Sequence, residues 1–254
     1  MTGFEGKTVG LALGGGGALG AAHIGVLKAL QEFGIQVGCI SGTSAGAFVA
    51  SLYAFGKNWE ELAEIAKQIK WMEISKLSLS RYGLLSNEKL GALLKENIGE
   101  ASIEDALIPL AIVATDIATG DEVVLYEGDA AKAVMASSCI PGIYVPVEMG
   151  GRLLVDGGIV ENVPVSPLRR LGADEIIGVN LNAGHREYKP KNIVEVLLRS
   201  FDFTLKAATR LQTEWADLVI TPDLTGFNMY DMNKTDDLIE EGYKAAMQAF
   251  EERV

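Results

Sequence analysis

Residues 9–20 read VGLALGGGGALG, a short apolar run that leads into a cluster of glycines. The run Val9–Leu13 has the length and composition of a buried strand, and the glycines allow a tight turn after it. A helix is predicted over 18–33, where Ile24, Leu27, Leu30 and Phe33 recur at helical spacing and Gly34 supplies a stop. The pattern then repeats. Ile35–Ile40 is a second short strand, Gly42-Thr43-Ser44-Ala45-Gly46 is a second small-residue turn, and Ala45–Ala54 is a second helix closed by Gly56. Two strand–turn–helix units in a row call for a parallel sheet, and they bring both glycine turns to the same carboxyl edge of it.

The rest of the chain keeps the alternation. Helices are predicted over 59–70, 87–97 with Asn87 as N-cap, 129–138, 191–213 and 235–252. Strands are predicted at Pro109–Asp116, Glu122–Tyr126, Arg152–Val155 after a Gly150-Gly151 hairpin turn, Glu175–Leu181 and Asp217–Thr221, with an extended piece between Pro141 and Pro146. Residues 71–86 carry Trp71, Met72, Leu77, Leu79, Tyr82, Leu84 and Leu85 without periodicity and are expected as an excursion that caps a site. The expected class is α/β, with three layers: a mostly parallel central sheet flanked by helices, in a single domain over 1–254.

Composition narrows the partners. The 34 acidic and 22 basic residues leave a net charge of −12. Such a chain gains no counterion-release energy from nucleic acid, and its overall charge gives no attraction to an anionic membrane. Cys39 and Cys139 are far apart and are expected as buried free thiols. Residues 7–22 loosely mimic a signal peptide, but the glycines in their middle break the helix such a segment needs, so a cytoplasmic protein is expected.

Gly42-Thr43-Ser44-Ala45-Gly46 fits the GxSxG nucleophile elbow. A serine on a sharp strand-to-helix turn needs small neighbours, or strand and helix collide. The turn also sets Ser44 at a helix N-terminus, whose partial positive charge favours a developing alkoxide. A short pattern like this also occurs in plain helix-capping loops, and it is the flanking strand and helix that favour the nucleophile.

Gly15, Gly17 and Gly20 satisfy the GxGxxG dinucleotide fingerprint, so an NAD(P)-binding oxidoreductase is an alternative. That fingerprint wants an acid at the end of the second strand, and residues 35–46 contain none. A glycine run can instead aim successive backbone N–H groups at one anion, as an oxyanion hole does.

A serine nucleophile needs a base. His23, in line with Leu27 and Leu30, has the pattern of a packed histidine. His185 follows a strand and would complete a triad in the order Ser44, Asp156, His185. Asp156, closing the apolar run Leu153–Val155 before Gly157-Gly158, can act directly if burial raises its pKa. Asp116 is a second strand-end acid, expected as a structural hydrogen bonder.

Four segments occur in order: GGGALG at 15–20, GTSAG at 42–46, ASSCIPG at 136–142 and DGG at 156–158. Together they resemble the patatin-like phospholipases, in particular the short bacterial members, over nearly the whole chain. The resemblance implies a Ser44–Asp156 dyad, an oxyanion hole from the amides of Gly15, Gly16 and Gly17, and hydrolysis of acyl esters of phospholipids, lysophospholipids or neutral lipids without metal or organic cofactor. A lipid or acyl ester is thus the expected partner. The apolar 71–85 excursion and Phe227, Met229, Tyr230 and Met232 have two readings: a lipid-entry rim for transient membrane-surface contact, or residues packed in the core or at a subunit contact. Ala18-Leu19 stands where the family usually has Arg or Lys after the glycine triplet. A non-enzymatic regulator on the same fold remains the other alternative, against which stand the intact Ser44 and Asp156.

Overall fold

The computed structural model describes residues 3–69, 76–77, 80–182, 189–229 and 232–253. Its centre is an eight-stranded sheet in the order β11-β10-β1-β2-β5-β9-β8, with β6 also on β5. These strands are β1 Val9–Leu13, β2 Val37–Thr43, β5 Leu110–Asp116, β6 Glu122–Leu125, β8 Val147–Met149, β9 Arg152–Asp156, β10 Glu175–Val179 and β11 Leu218–Ile220. The run from β11 to β5 is parallel, while β6, β8 and β9 pair antiparallel.

Helices cover both faces. Alternation along β1 sends Leu11 and Leu13 into the main core, and Ala12 into a smaller cluster on the opposite face. The main core is built on α1 Ala21–Glu32, α2 Ala45–Ala54, α3 Trp59–Gln68 and α8 Thr235–Glu251, and the smaller one on α6 Ser166–Arg170. The set is completed by α4 Glu88–Ile98, α5 Ala130–Ser137 and α7 Ile193–Gln212. The expected α/β class and central sheet are therefore what the chain adopts.

Several boundaries differ from expectation for physical reasons. The segment 17–20 is a 3-10 turn, and the α-helix begins at Ala21. β2 extends past Ile40 through Ser41 and Thr43, whose hydroxyls donate to Pro164 O and Glu161 O, so polar residues sit in its buried carboxyl-terminal half. Asn87 occupies the N-cap position of α4 without capping it, because its Nδ2 donates to Met135 O at 2.8 Å. Within the 71–86 excursion, β3 Lys76–Leu77 and β4 Gly83–Ser86 join β7 Gly142–Tyr144 in a second small sheet. Residues 70–75 and 78–79, with Trp71, Met72 and Leu79, lie outside the described residues.

One register positions the site. β6 occupies one edge of β5 over Ile112–Thr115. Along the other edge β2 pairs up to Val113, and β9, running the opposite way, takes over from Ala114. Thr43 lies opposite Val113 and Asp156 opposite Ala114, so the carboxyl ends of β2 and β9 meet head-on.

Candidate active site

Ser44 follows Thr43 directly and enters α2 with φ 53° and ψ −122°, the one positive φ outside glycine among the described residues. This conformation is strained for a residue with a Cβ and persists only where the surroundings over-determine it. Here two contacts do so. The Ser44 amide donates to Ser137 Oγ at 2.8 Å, and Ser137 Oγ donates to Val113 O at 2.6 Å. Ser137 thus ties the turn to β5. Gly46 explains itself by close approach, since a Cβ there would run into the Leu13 carbonyl.

Asp156 is 1 % exposed. Its Oδ1 accepts from Gly158 N at 2.9 Å, while Oδ2 is buried without a hydrogen-bond partner. Burial pushes its pKa up to about 7, against the opposing pull of the Gly158 amide and the Ser44 hydroxyl, both of which favour the charged form. The Ser44 hydroxyl bears on the carboxylate without closing a hydrogen bond onto Oδ2. The backbone of Asp156 is fixed on both sides: its N–H donates to Cys139 O at 2.9 Å, and its carbonyl accepts from Thr115 Oγ1 at 2.9 Å.

The glycine loop follows β1, between β10 and β2. Its peptide groups are held one by one. Gly14 O accepts from His23 Nε2 at 2.7 Å. A carbonyl only accepts, so the proton sits on Nε2, and full burial lowers the His23 pKa to about 4 and keeps the ring neutral. The expected packed histidine is thus an anchor of the loop. Gly15 O accepts from Asn182 Nδ2 at 2.7 Å, and Gly16 O accepts from Leu19 N at 3.2 Å. Gly15 N, expected as an oxyanion donor, is engaged by Asn162 O at 3.2 Å. Gly16 and Gly17 are the N-cap and first residue of the 3-10 turn, positions whose N–H groups have no partner within the helix. Gly17 takes φ +59°, and a Cβ on it would meet Met229 O at 2.6 Å.

Gly15, Gly16, Gly17, Ser44 and Asp156 line one apolar cavity. Phe48 and Leu52 of α2, Leu62, Ile65 and Ala66 of α3, and Leu198, Phe201 and Leu205 of α7 supply its walls. Thr209 and Gln212 fasten the C-terminal end of α7 to Asn162 (Nδ2 to Thr209 Oγ1, and N to Gln212 Oε1, both 2.9 Å). Among the described residues no His, Cys, Asp and Glu group could hold a metal ion.

The patatin-like phospholipase model matches residues 11–169, a span that runs from β1 through the serine turn and Asp156 to α6. The chain belongs to the patatin-like phospholipase family. A Mycobacterium tuberculosis protein named only as an uncharacterized NTE family protein is 39 % identical over 206 residues, 78 % of this chain and 57 % of that protein. The neuropathy target esterase sws of Drosophila melanogaster is 34 % identical over 71 % of this chain and 13 % of its own length. This chain therefore spans little more than half of the mycobacterial relative and a small part of the fly one. Among solved structures, VipD from Legionella pneumophila matches 97 % of this chain and 67 % of its own, with TM-score 0.56 and 17 % identity. The type III effector ExoU matches 97 % of this chain and 53 % of its own, with TM-score 0.54 and 18 % identity. These patatin-like structures share the fold.

The five predicted site residues, Gly15, Gly16, Gly17, Ser44 and Asp156, therefore meet at one cavity, although the Gly15 amide is engaged by Asn162 O. His185 and Tyr230 lie outside the described residues. Asp116 is the structural acid it was expected to be, its Oδ1 accepting from Ala118 N at 2.9 Å in the turn after β5. Of the expected lipid rim, Met229 is 8 % exposed and lines the cavity, and Phe227 packs on the core. Cys39 and Cys139 are buried and free. Sequence reasoning missed Ser137, Asn162 and Asn182. The signal that points to Asn182 is its place just past the carboxyl end of β10, the edge where such sheets keep their sites.

Proposed function

We propose that this chain hydrolyses lipid acyl esters through a Ser44–Asp156 dyad. The observation that carries the reading is a strained serine beside a buried carboxylate of raised pKa, both opening on an apolar cavity. Ser44 Oγ attacks the ester carbonyl carbon while Asp156 takes the hydroxyl proton. The Gly16 and Gly17 amides stabilise the resulting oxyanion, with Gly15 shaping the loop. As the tetrahedral species collapses, Asp156 returns the proton to the departing alcohol and the acyl group stays on Ser44. Water then attacks the acyl-enzyme, Asp156 accepts its proton, and the fatty acid leaves as Ser44 Oγ regains one. The acyl chain lies against Phe48, Leu52, Ile65 and Ala66.

Ser44→Ala and Asp156→Asn, assayed on a p-nitrophenyl acyl ester, test this reading. Activity in either variant equal to wild type would sink it. His185→Ala separates dyad from triad: the dyad expects full activity, and a loss on the order of 10⁴ favours the triad. Failure of the wild type to label with a fluorophosphonate probe would favour a regulator.

Transient contact with a phospholipid surface belongs to the same reading, and α7 supports it. Its outer face exposes Ile193, Val196, Leu197, Phe203 and Leu211, while its inner face lines the cavity. Residues 189–212 hold Lys189, Lys191, Arg199, Lys206 and Arg210 against Glu195 and Asp202, a basic stretch in an acidic chain. No helix among the described residues is long and apolar enough to cross a membrane. Flotation with neutral and anionic liposomes measures the contact, and absence of binding to both refutes it.

A further inference from the structure

We infer that Asn182 is a positioning residue for the oxyanion hole, turning the Gly16 amide toward Ser44. The inference rests on the hydrolase reading above and adds to it a residue that neither the motifs nor the spacing singles out.

Gly15 C=O and Gly16 N–H belong to one peptide group, and in a trans peptide they point in opposite directions. No cis peptide occurs among the described residues. Asn182 Nδ2 holds the carbonyl at 2.7 Å. Asn182 follows β10, Ser44 follows β2, and the sheet order is β10-β1-β2. The glycine loop leaves β1 between them. A carbonyl drawn toward the β10 side therefore sends its N–H toward the β2 side, where Ser44 stands. The neighbouring peptide is anchored independently through His23 and Asn162, so Asn182 sets this one orientation.

Asn182 is itself held for the task. It is 2 % exposed, and its own N–H donates to Asn180 Oδ1 at 3.0 Å, a backbone tie that survives a side-chain substitution. Its Oδ1 is buried without a partner. The amide is thus kept for its donor, although an apolar side chain would avoid leaving that oxygen unsatisfied. Without the donor, the Gly15–Gly16 peptide of a glycine pair is free to rotate, and the Gly16 N–H loses its aim.

The test uses Asn182→Leu, close in volume and lacking the donor, with Asn182→Ala as the second variant. On a soluble p-nitrophenyl ester kcat should fall roughly tenfold to a hundredfold, short of the 10²–10³ lost when a donor is removed outright, with KM within about twofold. Affinity for a trifluoromethyl ketone, which forms a tetrahedral adduct on Ser44, should fall by the same factor as kcat, whereas affinity for the product fatty acid should not. A kcat within twofold of wild type in either folded variant overturns the inference. So does a lower kcat with unchanged trifluoromethyl ketone affinity, or a lowered melting temperature with normal turnover per labelled Ser44. Wild-type activity that Ser44→Ala abolishes upholds the underlying reading whatever Asn182 does, and a wild type without activity overturns both.

Discussion

The two sides of the cavity are built on opposite terms. On the sheet side, the carbonyls of Gly14, Gly15 and Gly16 each accept a defined hydrogen bond, and the Ser44 and Asp156 amides are both tied down. On the α7 side, the wall is made of Leu198, Phe201 and Leu205, which hold nothing by direction. The polar ties from α7 to the site come from its last turns, through Thr209 and Gln212. Directional bonds fix atoms to fractions of an ångström, whereas apolar packing accepts many shapes of similar size. On the proposed reading, the sheet side is suited to one transition state, and the apolar walls that α2, α3 and α7 supply are suited to a family of acyl chains.

Substitutions on the sheet side should then hurt turnover most. Asp156→Asn is expected to lower kcat by about 10⁴, measured on a soluble ester. The same change should stabilise the fold above neutral pH. Burial raises the Asp156 pKa to about 7 from its usual 3.8, so the folded protein holds a proton that the unfolded chain releases. Stability from this group is complete below pH 3.8 and is lost as pH rises through 7. Melting curves of wild type and Asp156→Asn should coincide near pH 3 and separate at pH 8, by at most about 4 kcal/mol. A variant no more stable than wild type at pH 8 would contradict the buried charge.

The pH profile comes next in size. With ionised Asp156 as base, kcat/KM should fall about tenfold per pH unit below 7. His23, with its pKa lowered to about 4, cannot produce that limb, so the limb should persist in His23→Gln. His23→Ala leaves Gly14 O unsatisfied, at a cost of about 1–3 kcal/mol of stability, and should reduce kcat by roughly tenfold through the loosened loop. A shifted limb in either variant would make His23 a titrating partner and break the division between the two sides.

Substitutions facing the acyl chain should be milder and selective. Ala66→Phe should shorten the preferred acyl chain, leaving acetate ester turnover within about twofold while hexadecanoate turnover falls by tenfold or more. The smallest effect is expected from Phe203→Ser on the exposed face of α7: soluble ester turnover unchanged, liposome binding reduced.

The same contrast decides what can be read from sequence. Ser44 and the glycine loop are legible because each shows within one short stretch of chain, where an apolar run passes through small residues into a helix, even though the atoms that require Gly16, Gly17 and Gly46 to be glycine lie far away in sequence. Asp156 is legible as an acid closing an apolar strand. Ser137, Asn162 and Asn182 are not, because each acts across a long stretch of chain: the side chains of Ser137 and Asn182 bind backbone groups, and Asn162 meets Gly15 through its own carbonyl, so none of these contacts leaves a pattern of paired side chains. The end of β2 was hidden for a related reason. Ser41 and Thr43 look like loop residues, and only the carbonyls of Pro164 and Glu161 make their burial tolerable. The short α6, at Ser166–Arg170, contains too few turns to show a period.

The head-on meeting of β2 and β9 makes β5 a ruler. Val113 and Ala114 set how far Ser44 stands from Asp156, and so the reach of the proposed dyad. A residue inserted between them would part the two strand ends by about 3.3 Å, enough to silence proton transfer in a chain whose sheet and motifs were all intact. A duplicated or deleted residue in β5 would thus be a lesion invisible to any inventory of catalytic side chains.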